Sequence, residues 1–183
     1  MQLDDAVRGR RSIRTYRPQP VPDGLIDSLI DLARHAPSSM NGQPWTFTIV
    51  RDAALKRRLA DIKNQYCPAE KRAFRADFMI EAAALVVIAV DRAASHDRAV
   101  ENGVLAAATF MLAAHAHGLG TVYMSAFRDD EPAVADAVRQ LLGMPAHVLP
   151  ISILPLGYPD EVPPAKAIRP LREVVFHERF GQR

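Results

Sequence analysis

The amino-acid sequence predicts an α+β sandwich: a central sheet of mixed or antiparallel strands flanked by helices, one of them long and buried. Three observations carry this reading. Ala84-Leu85-Val86-Val87-Ile88-Ala89-Val90 is an unbroken apolar run rich in β-branched residues, the mark of a strand covered on both faces. Asp97–His117 is long, helical in spacing and apolar nearly all round, with Val104, Leu105, Ala108, Met111 and Leu112 among many alanines. A helix without a polar face must be buried in a core or against a second subunit. Helices and strands alternate, but several helices come in pairs, which a simple βαβ repeat does not give. A doubly wound fold ranks second.

The elements follow in order. Leu3–Arg10 makes a short helix, interrupted at Gly9, and the basic stretch Arg10–Arg17 is extended because Pro18, Pro20 and Pro22 bar a helix. From Asp23, the residues Leu25, Ile26, Leu29, Ile30, Ala33 and Ala36 recur at helical spacing until Pro37 stops them. A polar turn, Ser38–Pro44, leads into a strand, Trp45–Val50. Ala53–Lys63 reads as a helix, the pattern breaks at Tyr66-Cys67-Pro68, and a further helix is expected over Ala69–Ala82. After the long helix, Gly118 is a natural left-handed cap. Leu119–Met124 follows as a strand, Glu131–Leu142 as a helix and Val148–Leu156 as the last core strand, before a proline-rich tail from Pro159 to Pro170 and a short piece around Glu173–Phe180. No repeat, low-complexity segment or linker divides the 183 residues, so one domain over 1–183 is expected.

Composition narrows the function classes. With 49% hydrophobic and 24% charged residues the chain has the ordinary globular mixture. A formal net charge of +2 is too small to imply a nucleic-acid or membrane partner. The apolar stretches near 82–90 and 104–116 fall short of a spanning segment of roughly 20 residues. Cys67 is the single cysteine, which leaves no internal disulfide and too few thiols for a cysteine-based metal site. No signal peptide is visible, so the cytoplasm is the default location.

Four segments bear chemistry-capable groups. Arg10, Arg11, Ser12 and Arg14 lie within five residues. In an extended chain Arg10, Ser12 and Arg14 point to one face and Arg11 to the other, so three donors can converge on one anion. Taken alone, such a run reads more readily as a solvated basic arm. Pro37-Ser38-Ser39-Met40-Asn41-Gly42-Gln43-Pro44 offers amides and hydroxyls that suit the polar edge of a flavin or purine, although its composition also fits an ordinary connection. Gly118-Leu119-Gly120-Thr121 comes after a helix and before a strand, the wrong order for a dinucleotide fingerprint. Gly157, at the end of the last strand, lets a ligand approach the backbone or simply marks the exit from the sheet. His115 and His117 diverge on a helix and read as a helix terminus rather than metal ligands. No Ser-His-Asp pattern, P-loop or zinc motif appears.

In sequence order these segments, together with Leu156-Gly157-Tyr158-Pro159 and Arg169-Pro170-Leu171, closely resemble the nitroreductase family of flavoproteins. The resemblance runs over nearly the whole chain and is thinnest from Asn64 to Met79. It implies a three-layer sandwich whose long helix lies at the interface of a homodimer, with two FMN sites shared between subunits. Arg10 and Ser12 would then hold the FMN phosphate, Arg11 the ribityl or phosphate part, and Arg14 the pyrimidine edge of the ring. Pro37, Ser38, Ser39, Asn41 and Gln43 would come from the other subunit. The backbone at Met124, Ser125 and Ala126 would lie near flavin N5, Gly157 beside the cofactor, and Lys166 and Arg169 would return to the phosphate. Many relatives carry glycine where this chain has Ser125, and the chain is short between the polar turn and the long helix.

The implied activity is the movement of two electrons from NADH or NADPH, through FMN, to a small acceptor such as a nitroaromatic, quinone or enal. The order would be ping-pong, with no side chain acting as general acid. Rival readings are a relative with other flavin chemistry (dehalogenation or flavin cleavage), a flavin-binding protein without turnover, and a basic-arm nucleic-acid binder.

Overall fold

The structure, a computed structural model, describes residues 1–68 and 75–182. Among the described residues, β1 (Trp45–Val50), β2 (Ala84–Asp91), β3 (Gly120–Thr121), β4 (Met124–Ser125) and β5 (Val148–Gly157) form one sheet in the order β1-β2-β5-β3, with β4 also paired to β5. Every strand pairing is antiparallel. The doubly wound alternative needs parallel neighbours and falls.

The apolar run of β2 is explained by its two faces. Val86 and Ile88 pack with Ile26, Leu29 and Phe110, whereas Leu85 and Val87 pack with Leu59, Met79 and Val138. Alternate side chains thus enter two different cores, so no position on the strand is free to be polar. Its partner β5 carries Pro150, which has no N–H for a ladder. It sits opposite Ala89, where the register already shifts between Ile88 and Ala89.

Among the described residues, five helices complete the layers: α1 (Leu3–Gly9), α2 (Asp23–Ala33), α3 (Ala53–Gln65), α4 (Ala99–Ala116) and α5 (Ala133–Leu141). α2 and α4 cover one face of the sheet and α3 and α5 the other, which makes three layers. The Asp52 carboxylate accepts from Leu55 N at 2.8 Å and caps α3. α4 ends at Gly118 in the left-handed region (φ +78°), and His117 Nδ1 lies 2.9 Å from Ala113 O at the same terminus.

α4 packs its Asn102, Gly103, Ala106, Ala107, Phe110, Met111 and Ala114 side inward. Its other side leaves Val100, Val104 and Leu105 between 38% and 41% exposed. At 18 residues it is long and apolar enough to cross a membrane by length and composition alone. One whole face, however, is committed to the sheet and α2.

The expected elements differ from the observed ones in four places. Residues 69–74 of the helix expected over Ala69–Ala82 lie outside the described residues, and the rest holds only a 3-10 turn, Asp77–Ile80. Side chains compete with helical bonding there: Asn64 Oδ1 accepts from Ala76 N at 2.7 Å, and Lys56 Nζ donates to Ile80 O and Ala82 O. α2 stops at Ala33 rather than running to Pro37. α4 starts at Ala99 because His96 and Asp97 are left-handed (φ 47° and 59°). The strand expected over Leu119–Met124 splits into β3 and β4.

Phe110 is fully buried between the sheet and α2. Phe110→Ala should destabilise the protein by about 3–5 kcal/mol, lost ring contacts and a cavity together, in urea unfolding. A loss below about 1 kcal/mol would mean that the site collapses onto the gap or that the ring is not core.

Candidate functional site

The basic segment is held by its backbone. Ile13 N donates to Thr121 O at 3.0 Å, and Ser12 bridges Thr121 in parallel, which fixes the segment beside β3. Farther along, Arg17 N donates to Tyr158 O at 2.9 Å and Asp160 N to Thr15 O at 3.0 Å, beside the chain leaving β5. The Glu161 carboxylate accepts from Arg14 N and from Thr15 N, the latter at 2.9 Å. The Tyr16 hydroxyl, buried, donates to Ile13 O at 2.6 Å. With the main chain occupied in this way, the arginine side chains stay available.

They separate onto two faces, as alternation requires. Arg11 and Ile13 line a cavity of about 850 Å³ together with Arg8, His115, Glu161 and Lys166. Arg14 lines a second cavity of about 490 Å³, with Met124, Ser125, Lys63, Tyr66, Tyr123 and Arg128. Arg10 and Ser12 are half-buried and line neither cavity. Arg10 Nη1 is buried and has no hydrogen-bond partner among the described residues, so one donor of its fork is left for an anion.

The second cavity is built on a short, pinned strand. β4 pairs Met124 with Ile153 and Ser125 with Ser152, and Ala126 N donates to Ile151 O at 2.9 Å, which buries Ala126 beneath the wall. Lys63, on the last turn of α3, donates from Nζ to Ser125 O at 2.5 Å. Burial pushes the Lys63 pKa down, Arg128 adds to that, and Cys67 opposes it.

Three further expected site residues have these places. Gly157 pairs with Gly120, and a side chain there would meet the Tyr16 ring at 2.8 Å, so the close approach is made by Tyr16. Arg169 lines neither cavity and closes on Glu173, Nη2 to Glu173 O at 3.1 Å. Lys166 lines the larger cavity together with Arg11, the side expected for the phosphate.

The polar loop is a strained, preformed unit. Met40, Asn41 and Gln43 have φ of 50°, 55° and 45°, left-handed values that non-glycine residues hold only when their surroundings impose them. Gln43 N donates to Ser38 Oγ at 3.0 Å, and Ser39 N donates to Asn102 Oδ1 at 3.0 Å. Pro37, Asn41 and Gln43 are exposed, and Ser38 and Ser39 half-buried.

The loop touches α4 at Asn102, while the basic segment touches it at the other end. A side chain at Gly9 would lie 2.9 Å from His115 Nε2, and burial, then the Arg10 charge, lowers the His115 pKa. Asn102 and His115 are thirteen residues apart on one helix, roughly 20 Å at 1.5 Å per residue.

The sequence profile of the nitroreductase family matches residues 7–158, a span that holds the basic segment, the polar loop, α4 and β4. The chain belongs to the nitroreductase family. Among similar proteins, an FMN reductase [NAD(P)H] of Bacillus subtilis is 30% identical over 94% of this chain and 72% of its own length. An iodotyrosine deiodinase of Thermotoga neapolitana is 30% identical over 88% of this chain and 91% of its own. An FMN-dependent nitroreductase structure from Clostridium difficile superimposes with a TM-score of 0.84 at 25% identity, over 97% and 99% of the two chains.

In this nitroreductase-family chain, sequence reasoning missed Lys63, Glu161 and Asn102. Asn102 and Lys63 had a readable signal, a polar residue on the apolar side of a helix. Glu161 had none, since its partners are backbone N–H groups about 146 residues away.

Tyr16 couples the segment to pH. Burial, then Glu161, pushes its phenol above the ordinary range, against a smaller opposing effect of Arg14. The fold therefore favours the neutral phenol, and that contribution is whole below pH about 10 and fades as pH rises beyond it. Tyr16→Phe should cost about 0.5–1.5 kcal/mol at pH 7 through the lost bond to Ile13 O. It should also flatten the alkaline fall in urea-measured stability. The same alkaline slope in both proteins would exclude Tyr16 as its source.

Proposed function

We propose that this chain is an FMN-dependent NAD(P)H oxidoreductase that works as a homodimer and reduces a small planar acceptor in a ping-pong order. The observation that carries the reading is the run from Arg10 to Arg14. It begins at a buried guanidinium with a donor to spare and ends, four residues and about 13 Å on, at the wall of the second cavity. An anionic group at one end and a flat ring at the other is the outline of FMN, and the donor set fits it.

In this reading Arg10 and Ser12 hold the phosphate, with Arg11, Lys166 and Arg169 on its outer side. Arg14 sets a positive charge at the pyrimidine edge. The backbone of Met124, Ser125 and Ala126 flanks the ring's reactive edge, and Lys63 keeps that backbone in place through Ser125 O. Gly157, packed on Tyr16, supports the segment from below. When bound, FMN supplies the two-electron chemistry, taking electrons from NADH or NADPH and passing them to an acceptor that uses the same face in turn. The protein's part is binding, orientation and electrostatics. A charge-assisted contact such as that of Arg14 is worth roughly 1.5–3 kcal/mol.

Two observations support the homodimer. The loop Pro37, Ser38, Ser39, Asn41 and Gln43 meets α4 roughly 20 Å from the point where the basic segment does, so the two groups serve one cofactor only if they come from two chains. The outer side of α4 exposes Val100, Val104 and Leu105, and the tail exposes Val162, Ile168, Leu171 and Phe180. Apolar surface of that kind marks an interface. A reducing compartment, the cytoplasm, suits the single free thiol.

A second reading, reductive dehalogenation, is favoured by the deiodinase of Thermotoga neapolitana. Iodide release from an iodotyrosine by the reduced protein, faster than turnover of nitroaromatics or quinones, would replace the first reading.

The purified protein should be yellow and bleach anaerobically with one nicotinamide, and a colourless protein that fails to take up FMN would sink the proposal. Arg14→Ala should weaken FMN retention by about 10- to 100-fold and slow reoxidation by nitroaromatics. Unchanged kinetics would remove Arg14 from the role. Light scattering at micromolar concentration should give the dimer mass, and a flavin-loaded monomer would contradict the shared site.

A further inference from the structure

We propose that Asn102 is a positioning residue for the cofactor site of the partner subunit: by pinning Ser39 to α4, it holds the Ser38–Gln43 loop in the shape that reaches across the dimer. This rests on the shared FMN site proposed above. Asn102 is 2% exposed, near the start of a helix that is otherwise apolar on its inner side. Both ends of its amide are used. Oδ1 accepts from Ser39 N at 3.0 Å, and Nδ2 donates to Ser95 O at 3.2 Å. The opposite amide orientation would set donor against donor and acceptor against acceptor, so the two contacts fix it. Ser95 in turn donates from Oγ to Asp91 O at 2.5 Å, which ties the arrangement to the end of β2.

What Asn102 holds would otherwise relax. Three left-handed non-glycine residues in one loop persist only when the surroundings over-determine them. Asn102 supplies one restraint and Gly42 another. A Cβ at Gly42 would lie 2.1 Å from Ala94 O, so the loop lies flat on the 93–95 turn only because no side chain intervenes. Inside the loop, Gln43 Nε2 lies 3.3 Å from Asn41 Oδ1, and Met40 is 82% exposed. The loop thus presents its amides outward from the same half of α4 that exposes Val100, Val104 and Leu105. A group that never touches the cofactor in its own chain therefore sets the geometry offered to the other chain's cofactor.

The test measures FMN affinity of purified dimers by quenching of flavin fluorescence. Asn102→Leu should raise the Kd at least about tenfold while light scattering still gives the dimer. Asn102→Asp keeps an oxygen for Ser39 N–H and should recover most of that loss. A merely structural role would lower the Tm of both variants and leave the Kd of the folded dimers alone. Mixed dimers decide whether the effect crosses subunits. A dimer of one Arg10→Ala chain and one Asn102→Leu chain contains one site with both defects and one with neither, so it should bind one FMN at wild-type affinity, which neither parent dimer does. If Asn102→Leu does not assemble, Gly42→Ala takes its place in the same mixed dimer. An unchanged Kd in the variant, or a mixed dimer that recovers nothing, overturns the proposal while wild-type FMN binding stands. A wild-type dimer that takes up no FMN overturns the shared-site reading and this inference with it.

Discussion

Helix α4 carries more apolar surface than one three-layer fold can cover, and the geometry of the site follows from how that surplus is divided. Phe110, Ala106, Ala107 and Ala114 go to the core between the sheet and α2, where each is fully buried. Gly103 lets the helix come so close to β5 that a Cβ would meet the Ile151 side chain at 2.5 Å. Val100, Val104 and Leu105 remain partly exposed on the far side, a strip whose burial would stabilise at about 25 cal/mol per Å². The same 18 residues span about 27 Å, enough to keep the basic segment at one end and the polar loop at the other. Under the proposed dimer, a helix with a site group at each end would link cofactor binding to assembly.

The basic segment shows a second economy. Four positively charged side chains in nearly consecutive positions repel one another, and a free arm of that composition would stay in water. Here β3, the chain after β5 and the Glu161 carboxylate together take up the backbone N–H groups of Ile13, Arg14, Thr15 and Arg17. Tyr16 seals the arrangement from below by filling the space that Gly157 leaves. Because the main chain is fixed without help from the arginines, a ligand that binds there has side chains to order but not backbone.

The parts legible in the sequence were those with a local cause. The double-sided run of β2, the apolar excess of α4 and the left-handed cap at Gly118 each announce themselves within a dozen residues. The separation of Arg14 from Arg11 also follows from strand geometry alone, since the two line different cavities. The misses have tertiary causes. Helical spacing beyond Ala69 was overridden near Ala76 by Asn64 and Lys56, which reach in from α3. Gly157 was open to two readings because the ring that fills its space, Tyr16, lies 141 residues away along the chain. Asn102 was missed because its meaning depends on a loop 63 residues earlier.

The described lining of the second cavity is cationic and aromatic. Its described wall has Arg14, Lys63 and Arg128, the rings of Tyr66, Phe78 and Tyr123, and Met124, but no histidine, aspartate or glutamate. A general acid or base needs a group that titrates near the working pH. Cys67 also lines this wall. Lys63 comes nearest, because burial and Arg128 draw its pKa down, yet its ammonium is engaged with Ser125 O. Fixed positive charge in a partly enclosed cavity instead stabilises negative charge as it arrives, and does so without rearranging. Under the proposed function, an acceptor would be selected by how well its flat ring and its developing charge match that wall, a property of these side chains and not of the family to which the chain belongs.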